Sequence, residues 1–303
     1  MTRVGAGQTR VVVLGSANMD LVATAPALPR PGETMLGTDF VMVPGGKGAN
    51  QAIAAARAGA SCAFLGAIGS DSFGVTLRAR ITAAGVDTGQ LRVAYGTSGV
   101  ALVMVNAEGE NAILVSPGAN ASMTDLTEPE LATVRAADVL VAQLEIPADT
   151  VTAAAVAARA VGTRVVLNAA PARSVPAELL AATDLLVVNE NEALALTGRG
   201  REQPHALLEL APRAVLTLGG QGAWYGDRDG TAVHVPAVKV DVVDTTAAGD
   251  AFTAALAVAW GEGRDLVDAV RWAAAAGAAC ARRLGASVAL PRRAEIDELY
   301  VPT

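Results

Sequence analysis

Apolar positions along the chain fall into two kinds of run. Short unbroken stretches, Arg10-Val-Val-Val-Leu-Gly15, Ala63 to Ile68, Val139 to Leu144, Arg164 to Asn168, Leu185 to Val188 and Val215 to Leu218, show no alternation, the pattern of strands buried on both faces. Between and after them lie helix-forming segments: Ala52 to Ala58, Val75 to Ala84, Val151 to Val161, Leu179 to Ala182, Thr253 to Trp260 and Asp265 to Arg283. Such alternation predicts an α/β fold, a parallel sheet with helices on both faces. Two interruptions break the rhythm. Leu21 to Ala25 and Thr34 to Val43, joined by the proline-containing Pro26 to Gly32, predict one β-hairpin, and Val100 to Val105 with Ala112 to Val115 predict a second. The second is apolar on both faces, so a small sheet made of the two needs cover on both sides, from a ligand on one and a second subunit near the other.

Several predicted strands end in polar groups: Ser16-Ala-Asn18-Met-Asp20, Gln143-Leu-Glu145, Asn168, Asn189-Glu-Asn-Glu192 and Thr217-Leu-Gly219-Gly220-Gln-Gly222. Ligands of open parallel sheets sit at the carboxyl edge of the strands, so this repetition predicts a site along that edge. Gly45-Gly46-Lys47-Gly48-Ala49-Asn50-Gln51 resembles a phosphate loop at first sight, but the Ser or Thr that holds Mg²⁺ after the lysine is replaced by Gly48. What remains is a glycine turn at a helix start, with Lys47 and Asn50 able to hydrogen-bond a polyhydroxylated ligand.

The stretch Asp241-Val-Val-Asp244-Thr-Thr-Ala247-Ala248-Gly249-Asp250 reads as a strand, a tight turn and a helix start. Backbone amides of residues 247 to 250 would lack intrahelical partners and, with the helix dipole, would make a place for an anion. A carboxylate there repels the anion that its own backbone attracts. Asp250 makes sense as a base that takes a proton from a hydroxyl attacking a phosphate, and otherwise as a plain helix cap.

The chain has 303 residues, 52% of them hydrophobic, which is ample for a substantial core, while aromatic residues make up only 3%. A formal net charge of -7, with no basic run, argues against nucleic acid or an anionic membrane as partner. Cys62 and Cys280 stand far apart in apolar settings and read as two buried thiols of a reducing compartment. Met1 to Arg10 reads as a polar tail without a signal-peptide core, and no apolar run is long enough to span a bilayer, so a soluble cytoplasmic protein is expected.

Nine motifs in order, Gly15-Ser-Ala-Asn18-Met-Asp20, Pro31-Gly-Glu33, Gly45 to Ala52, Glu108-Gly-Glu-Asn111, Gln143-Leu-Glu145, Asn168 to Ala172, Asn189-Glu-Asn-Glu192, Thr217-Leu-Gly219 and Asp244 to Asp250, resemble the PfkB carbohydrate kinase family, above all its ribokinase branch. The resemblance runs from Val11 to about Leu299. It implies a three-layer α/β/α ribokinase-like fold, with residues 1-16, 44-92 and 117-303 as the core. Residues 17-43 and 93-116 would form a β lid that covers the sugar and makes a homodimer contact. It further implies transfer of the γ-phosphoryl group of MgATP to the 5-hydroxyl of D-ribose. Asn18, Asp20, Gly46, Lys47, Asn50 and Glu145 would bind sugar, Asp250 would be the general base, and Ala247, Ala248 and Gly249 would form the anion hole. Asn189 and Glu192 would serve the phosphates and the Mg²⁺ hydration shell, while Thr217, Gly219 and Gly222 line the nucleotide site. A potassium-like cation would be held at Asp244, Thr246, Cys280, Arg283 and Gly285, largely by main chain.

Two positions depart from the family pattern: Ala289 stands where a serine commonly faces the cation, and Ala274 where a histidine can lie near the adenine. A sibling kinase for another furanose, ketose or nucleoside shares the same hydroxyl contacts. A non-catalytic sugar sensor would have no use for Asp250, and a dinucleotide dehydrogenase lacks its glycine spacing after Gly15.

Overall fold

The structure is a computed structural model that describes residues 8–302; residues 1–7 of the polar start and residue 303 lie outside it. The first strands are β1 (Arg10–Leu14), β2 (Asn18–Thr24), β3 (Asp39–Gly45), β4 (Ser61–Gly69), β5 (Leu91–Ala94), β6 (Gly99–Val105) and β7 (Asn111–Ser116). They are followed by β8 (Val139–Ala142), β9 (Arg164–Asn168), β10 (Leu185–Asn189), β11 (Arg213–Thr217), β12 (Ala223–Asp227) and β13 (Ala232–Val235). The helices are α1 (Lys47–Arg57), α2 (Ser72–Ala83), α3 (Glu128–Ala136), α4 (Ala148–Ala160), α5 (Ala177–Ala182) and α6 (Glu190–Thr197). The last four are α7 (Ala248–Gly261), α8 (Leu266–Ala281), α9 (Ala286–Ala289) and α10 (Arg293–Leu299).

Nine strands make one sheet in the order β13-β12-β11-β10-β9-β8-β1-β4-β5, in which only β12 runs against the others, so that its pairings with β11 and β13 are antiparallel. Alternate residues of β1 enter opposite cores. Val11 and Val13 pack with α1, α7 and α8 on one face, and Val12 and Leu14 pack with α4 and α5 on the other. This is the period-two division of a buried strand, and it produces the three layers. Alanines fill much of the α7–α8 layer, among them Ala254, Ala257, Ala273 and Ala276, so large side chains are not what separates these helices. The chain first winds from β1 to β4 and β5, then returns to the other side of β1 through β8 to β11. The reversal falls between β1 and β8, which is where such a sheet opens a crevice at its carboxyl edge.

A second sheet of four strands has the order β3-β2-β6-β7. Its hairpins join through a parallel pair, β2 on β6. The first hairpin differs in its bounds from expectation: β2 begins at Asn18, and β3 runs from Asp39. Pro26, Pro29 and Pro31 keep the intervening segment out of any ladder. Asn18 and Asp20 therefore belong to a strand of the small sheet and not to a turn after β1.

The expected strand before Ala247 is absent. The amides of Val243 and Asp244 instead donate to Ala281 O, at 2.8 and 3.2 Å, so this β-branched run finds its partner at the end of α8. Helix α1 also starts five residues earlier than expected, at Lys47. Its N-cap Gly46 has φ 91°, and a Cβ there would lie 2.6 Å from Asn18 N. Glycine is required at that position both by the torsion and by the approach of β2.

Candidate active site

The crevice between β1 and β8 is built around one carboxylate. Glu145 Oε2 accepts from Ser16 Oγ at 2.5 Å, from Lys47 N at 3.1 Å and from Asn18 Nδ2 at 3.4 Å. All three bonds fall on one oxygen, and Oε1 has no hydrogen-bond partner among the described residues. Asn18 is fixed from its other end, because its Oδ1 accepts from the buried Asn120 Nδ2 at 2.7 Å. Asp20 lies across the ladder from Val43, and a Cβ on Gly45 would reach within 2.3 Å of its Oδ2. The absence of a side chain at Gly45 makes room for that carboxylate.

Asp250 lies in the first turn of α7, buried, with 8% of its surface exposed. It caps nothing: the N-cap position of α7 is Ala247, and no side chain satisfies the helix start. Its oxygens instead accept from Asn50 Nδ2 at 3.0 Å and Gln51 Nε2 at 2.9 Å, both from α1. Gln51 is itself held, donating to Asn168 Oδ1 at 3.0 Å and accepting from Gln143 Nε2 at 2.6 Å. Asn50 Oδ1 is buried and has no partner among the described residues, so a ligand hydroxyl would satisfy it.

Ala247 adopts φ 61°, the one left-handed residue other than glycine among those described. Such a conformation costs about 1–3 kcal/mol and persists where the surroundings fix it. It turns the chain into α7. The expected hole of four amides is reduced, because Ala248 N donates to Thr245 O at 3.1 Å. Those of Ala247, Gly249 and Asp250 have no backbone acceptor among the described residues and remain for an anion.

Next to this turn, Lys47, Asn189, Glu192, Thr217 and Asp250 line one cavity of about 240 Å³. Asn189 and Glu192 cap α6 reciprocally, Asn189 N donating to Glu192 Oε2 at 2.8 Å and Glu192 N to Asn189 Oδ1 at 2.9 Å. A second cavity of about 460 Å³ shares Asn189, Thr217 and Gly249 and extends over Gly219, Gly222 and Phe252 to Ala274. Its walls are mostly small or apolar, which suits a flat heterocycle, and Ala274 lies where a larger residue would narrow it.

Burial raises the carboxyls of Asp250 and Glu192 above their ordinary values; Lys47, with Asn50 and Gln51 for Asp250, opposes the shift only in part. Asp20 is pushed up to about 7, first by burial and then by Glu145 and Asp250. Burial alone would lower the Lys47 ammonium, yet Asp250, Glu145, Glu192 and Asp20 hold it above its usual value. Four carboxyl groups thus act on the one lysine of the site.

The residues proposed for a monovalent cation partly converge. Asp244 Oδ1 accepts from Thr246 N and Oγ1 at 2.9 and 2.6 Å, its Oδ2 accepts from Gly285 N at 2.9 Å, and Cys280 Sγ points to Thr246 O at 3.7 Å. Arg283 turns its side chain away to pair with Glu295. Ser287 does not replace the missing serine at 289, because its Oγ is taken by Arg80 Nε at 3.1 Å.

Of the residues expected to bind sugar or act as base, Asn18 and the Lys47 amide bond to Glu145, Asn50 bonds to Asp250, Asp20 lies within electrostatic reach of Glu145 and Asp250, and Gly46 caps α1 between them. Reading the sequence assigned no role to Ser16, Gln51, Asn120 or Gln143, which orient them. Gln51 and Gln143 stand inside two of the sequence motifs, but nothing local to them reveals the bond of Gln143 to Gln51 or of Gln51 to Asp250.

The model of the pfkB family carbohydrate kinases matches residues 8–293. The chain is 39% identical over 293 residues to a ribokinase of Bacillus subtilis, covering 95% of this chain and 98% of that protein. The solved structure of Arabidopsis thaliana ribokinase complexed with ribose and ATP superposes with a TM-score of 0.91 at 31% identity, covering 98% of this chain and 100% of that one. That of Cryptococcus neoformans ribokinase in complex with ADP superposes with a TM-score of 0.82 at 30% identity, covering 96% and 99%.

One pH dependence follows from Asp20. Its folded value near 7 lies above that of an unfolded aspartate, so its contribution to stability is complete below about 4 and is lost as pH rises through 7. Replacing Asp20 by Asn should therefore make the ligand-free protein progressively more stable than the wild type between pH 5 and 8, as read by denaturant unfolding. Parallel stability curves would contradict this.

Proposed function

Because the chain belongs to the PfkB family of carbohydrate kinases, we propose that it transfers the γ-phosphoryl group of ATP to the 5-hydroxyl of D-ribose. The observation that carries the reading is the pair of bonds by which Asn50 and Gln51 hold Asp250 beside the crevice that Asn18, Lys47 and Glu145 line. Asn18, Asp20, Asn50 and Glu145 supply acceptors and donors for the hydroxyls of a neutral polyol, with Gly46 letting the backbone approach. Asp250 accepts the proton of the 5-hydroxyl while that oxygen bonds to the γ-phosphorus. The bond to the bridging oxygen breaks, its electron pair leaves on ADP, and the proton remains on Asp250. A carboxyl raised above its ordinary value is the stronger base for this step.

Charge on the transferred group is met by the amides of Ala247, Gly249 and Asp250 and by the Lys47 ammonium, already fixed before reaction. The γ-phosphate would occupy the smaller cavity and the adenine the larger, bordered by Thr217, Gly219 and Gly222. Mg²⁺ bound with ATP would supply neutralisation of the phosphate oxygens. Glu192 fits an outer role toward it through water, since both its oxygens already accept from Asn189. Asp244 with main-chain oxygens of Thr246, Cys280, Arg283 and Gly285 fits a singly charged cation such as K⁺, because it brings one carboxylate and otherwise neutral donors.

The small sheet acts as a lid and as the contact of a homodimer. Its register puts Asp20, Ala101 and Val115 on one face and Phe40, Met42, Leu102, Met104 and Leu114 on the other. All five of the latter are exposed large apolar side chains. No helix among the described residues is long and apolar enough to cross a membrane, and both cysteines are free and buried. A cytoplasmic location is proposed on that basis, with cell fractionation as the check.

ADP release measured over ribose, 2-deoxyribose, fructose, adenosine and pseudouridine, with and without Mg²⁺ or K⁺, should give the highest kcat/KM for ribose; a higher value for another substrate would move the assignment to that one. Asp250→Asn should retain ribose and ATP binding while kcat falls by about 10²-fold or more, and unchanged turnover would remove Asp250 from its role. Leu114→Glu should convert a dimer to monomers in sedimentation velocity, whereas a wild type that sediments as a monomer would exclude the lid contact.

A further inference from the structure

On the side of the molecule where α1, α2 and α10 meet, a cavity of about 320 Å³ is lined by Arg57, Arg80, Arg292 and Arg293 together with four alanines. In a chain of net charge -7 this concentration of guanidinium groups is unusual. Arg293 is neutralised by Glu262, its Nη1 and Nη2 donating at 2.5 and 2.9 Å. Arg57, Arg80 and Arg292 have no carboxylate partner among the described residues, although nine other arginines, from Arg10 to Arg293, do. Glu295 stands close by, pairing with Arg283 and accepting from Arg292 N at 2.8 Å, and it offsets part of the positive charge without an ion pair to Arg57, Arg80 or Arg292.

The bonds these arginines do make are to neutral oxygens. Arg57 Nη1 donates to Leu290 O at 2.5 Å and to Ser287 O at 3.3 Å, and Arg80 donates to Ser287 Oγ and O at 3.1 and 2.7 Å. These contacts fix two guanidinium groups without cancelling their charge, and Arg57 Nε and Nη2 and Arg80 Nη1 have no hydrogen-bond partner among the described residues. Burial, and after it the repulsion of Arg80 and Arg292, lower the Arg57 guanidinium below its ordinary value, as expected where like charges share one space. The remaining walls are alanine methyl groups, which recognise nothing polar. Charge is what the cavity can select.

We propose that this cavity binds a phosphate group, as inorganic phosphate or as the phosphoryl end of a small metabolite, between Arg57, Arg80 and Arg292. A tetrahedral dianion takes several N–H donors from planar guanidiniums and relieves their mutual repulsion. The site lies apart from the crevice of Asp250, and it does not depend on the kinase reading. It is joined to the neighbourhood of Asp244 by the chain itself: Arg57 and Arg80 hold residues 287 to 290, just after Gly285, whose amide donates to Asp244. Occupancy would thus bear on the segment that shapes the expected cation loop.

The test is calorimetric titration of the full chain at constant ionic strength in chloride, with inorganic phosphate in one arm and ribose 5-phosphate in the other. D-ribose and a non-hydrolysable ATP analogue are kept in excess to fill the other anion position. Arg292→Gln is the informative variant, since Arg292 makes no side-chain bond among the described residues and its loss should leave the thermal midpoint without phosphate unchanged. Saturable binding in the wild type, weakened at least tenfold in Arg292→Gln and in Arg57→Gln, supports the site. The arm with the tighter binding identifies the source of the phosphate. Absence of binding in both arms, or equal affinity in wild type and Arg292→Gln, overturns the proposal. Should the nucleotide analogue itself fail to bind, the kinase reading is what suffers, because the comparison of wild type with Arg292→Gln still reports on this cavity.

Discussion

Two side-chain amides from α1 and one carboxylate at the start of α7, about 200 positions apart in sequence, form the contact on which the site depends. An ionised carboxylate taken out of water is costly unless donors replace its hydration, and an uncompensated one costs several kcal/mol. Asn50 and Gln51 provide those donors, and Lys47 provides the charge. Because α1 begins directly after β3, this contact also fixes the small sheet relative to the nine-stranded one. The polar groups of the first fifty residues and the carboxylate near residue 250 are brought together by the same bonds that make the burial of Asp250 tolerable.

Several carboxyl groups and a single ammonium share the site. Asp20, Glu145, Glu192 and Asp250 share Lys47, and burial, the largest cause, keeps Asp20, Glu192 and Asp250 above their ordinary values in spite of that one ammonium. A neutral sugar donates hydroxyl hydrogens to such carboxylates. On the proposed reading, the divalent ion carried by a nucleotide would place cationic charge near Glu192, although the metal–nucleotide complex is itself anionic and is met by Lys47 and the free amides of the α7 turn. Strain at Ala247 serves the same end, since the left-handed turn there leaves three amides without backbone acceptors close to Asp250.

Much of this arrangement was legible in the sequence because it follows from local pattern. Unbroken apolar runs marked β1, β4, β8, β9, β10 and β11, and the polar residues that end them marked the edge on which the site lies. The Gly45 to Asn50 motif and the Asp244 to Asp250 motif each carry their chemistry within a few residues. The remainder was hidden for the opposite reason. Val240 to Val243 has the composition of a strand but bonds to the end of α8, a choice made by tertiary neighbours. Strands β12 and β13 sit at an antiparallel edge whose short, mixed sequence gives no periodic signal. Gln51, Gln143 and Asn120 act over separations of 92 to 199 residues, so no window of sequence could have assigned their roles.

The central claim is that sugar and phosphoryl group meet at Asp250, and a crystal structure of the chain with D-ribose and a non-hydrolysable ATP analogue tests it most directly. The account predicts the ribose 5-oxygen within hydrogen-bond distance of an Asp250 oxygen, with the terminal phosphate against the amides of Ala247, Gly249 and Asp250. A ribose bound between Asn18 and Glu145 but with its 5-oxygen turned away from Asp250, or a terminal phosphate outside that turn, would contradict it.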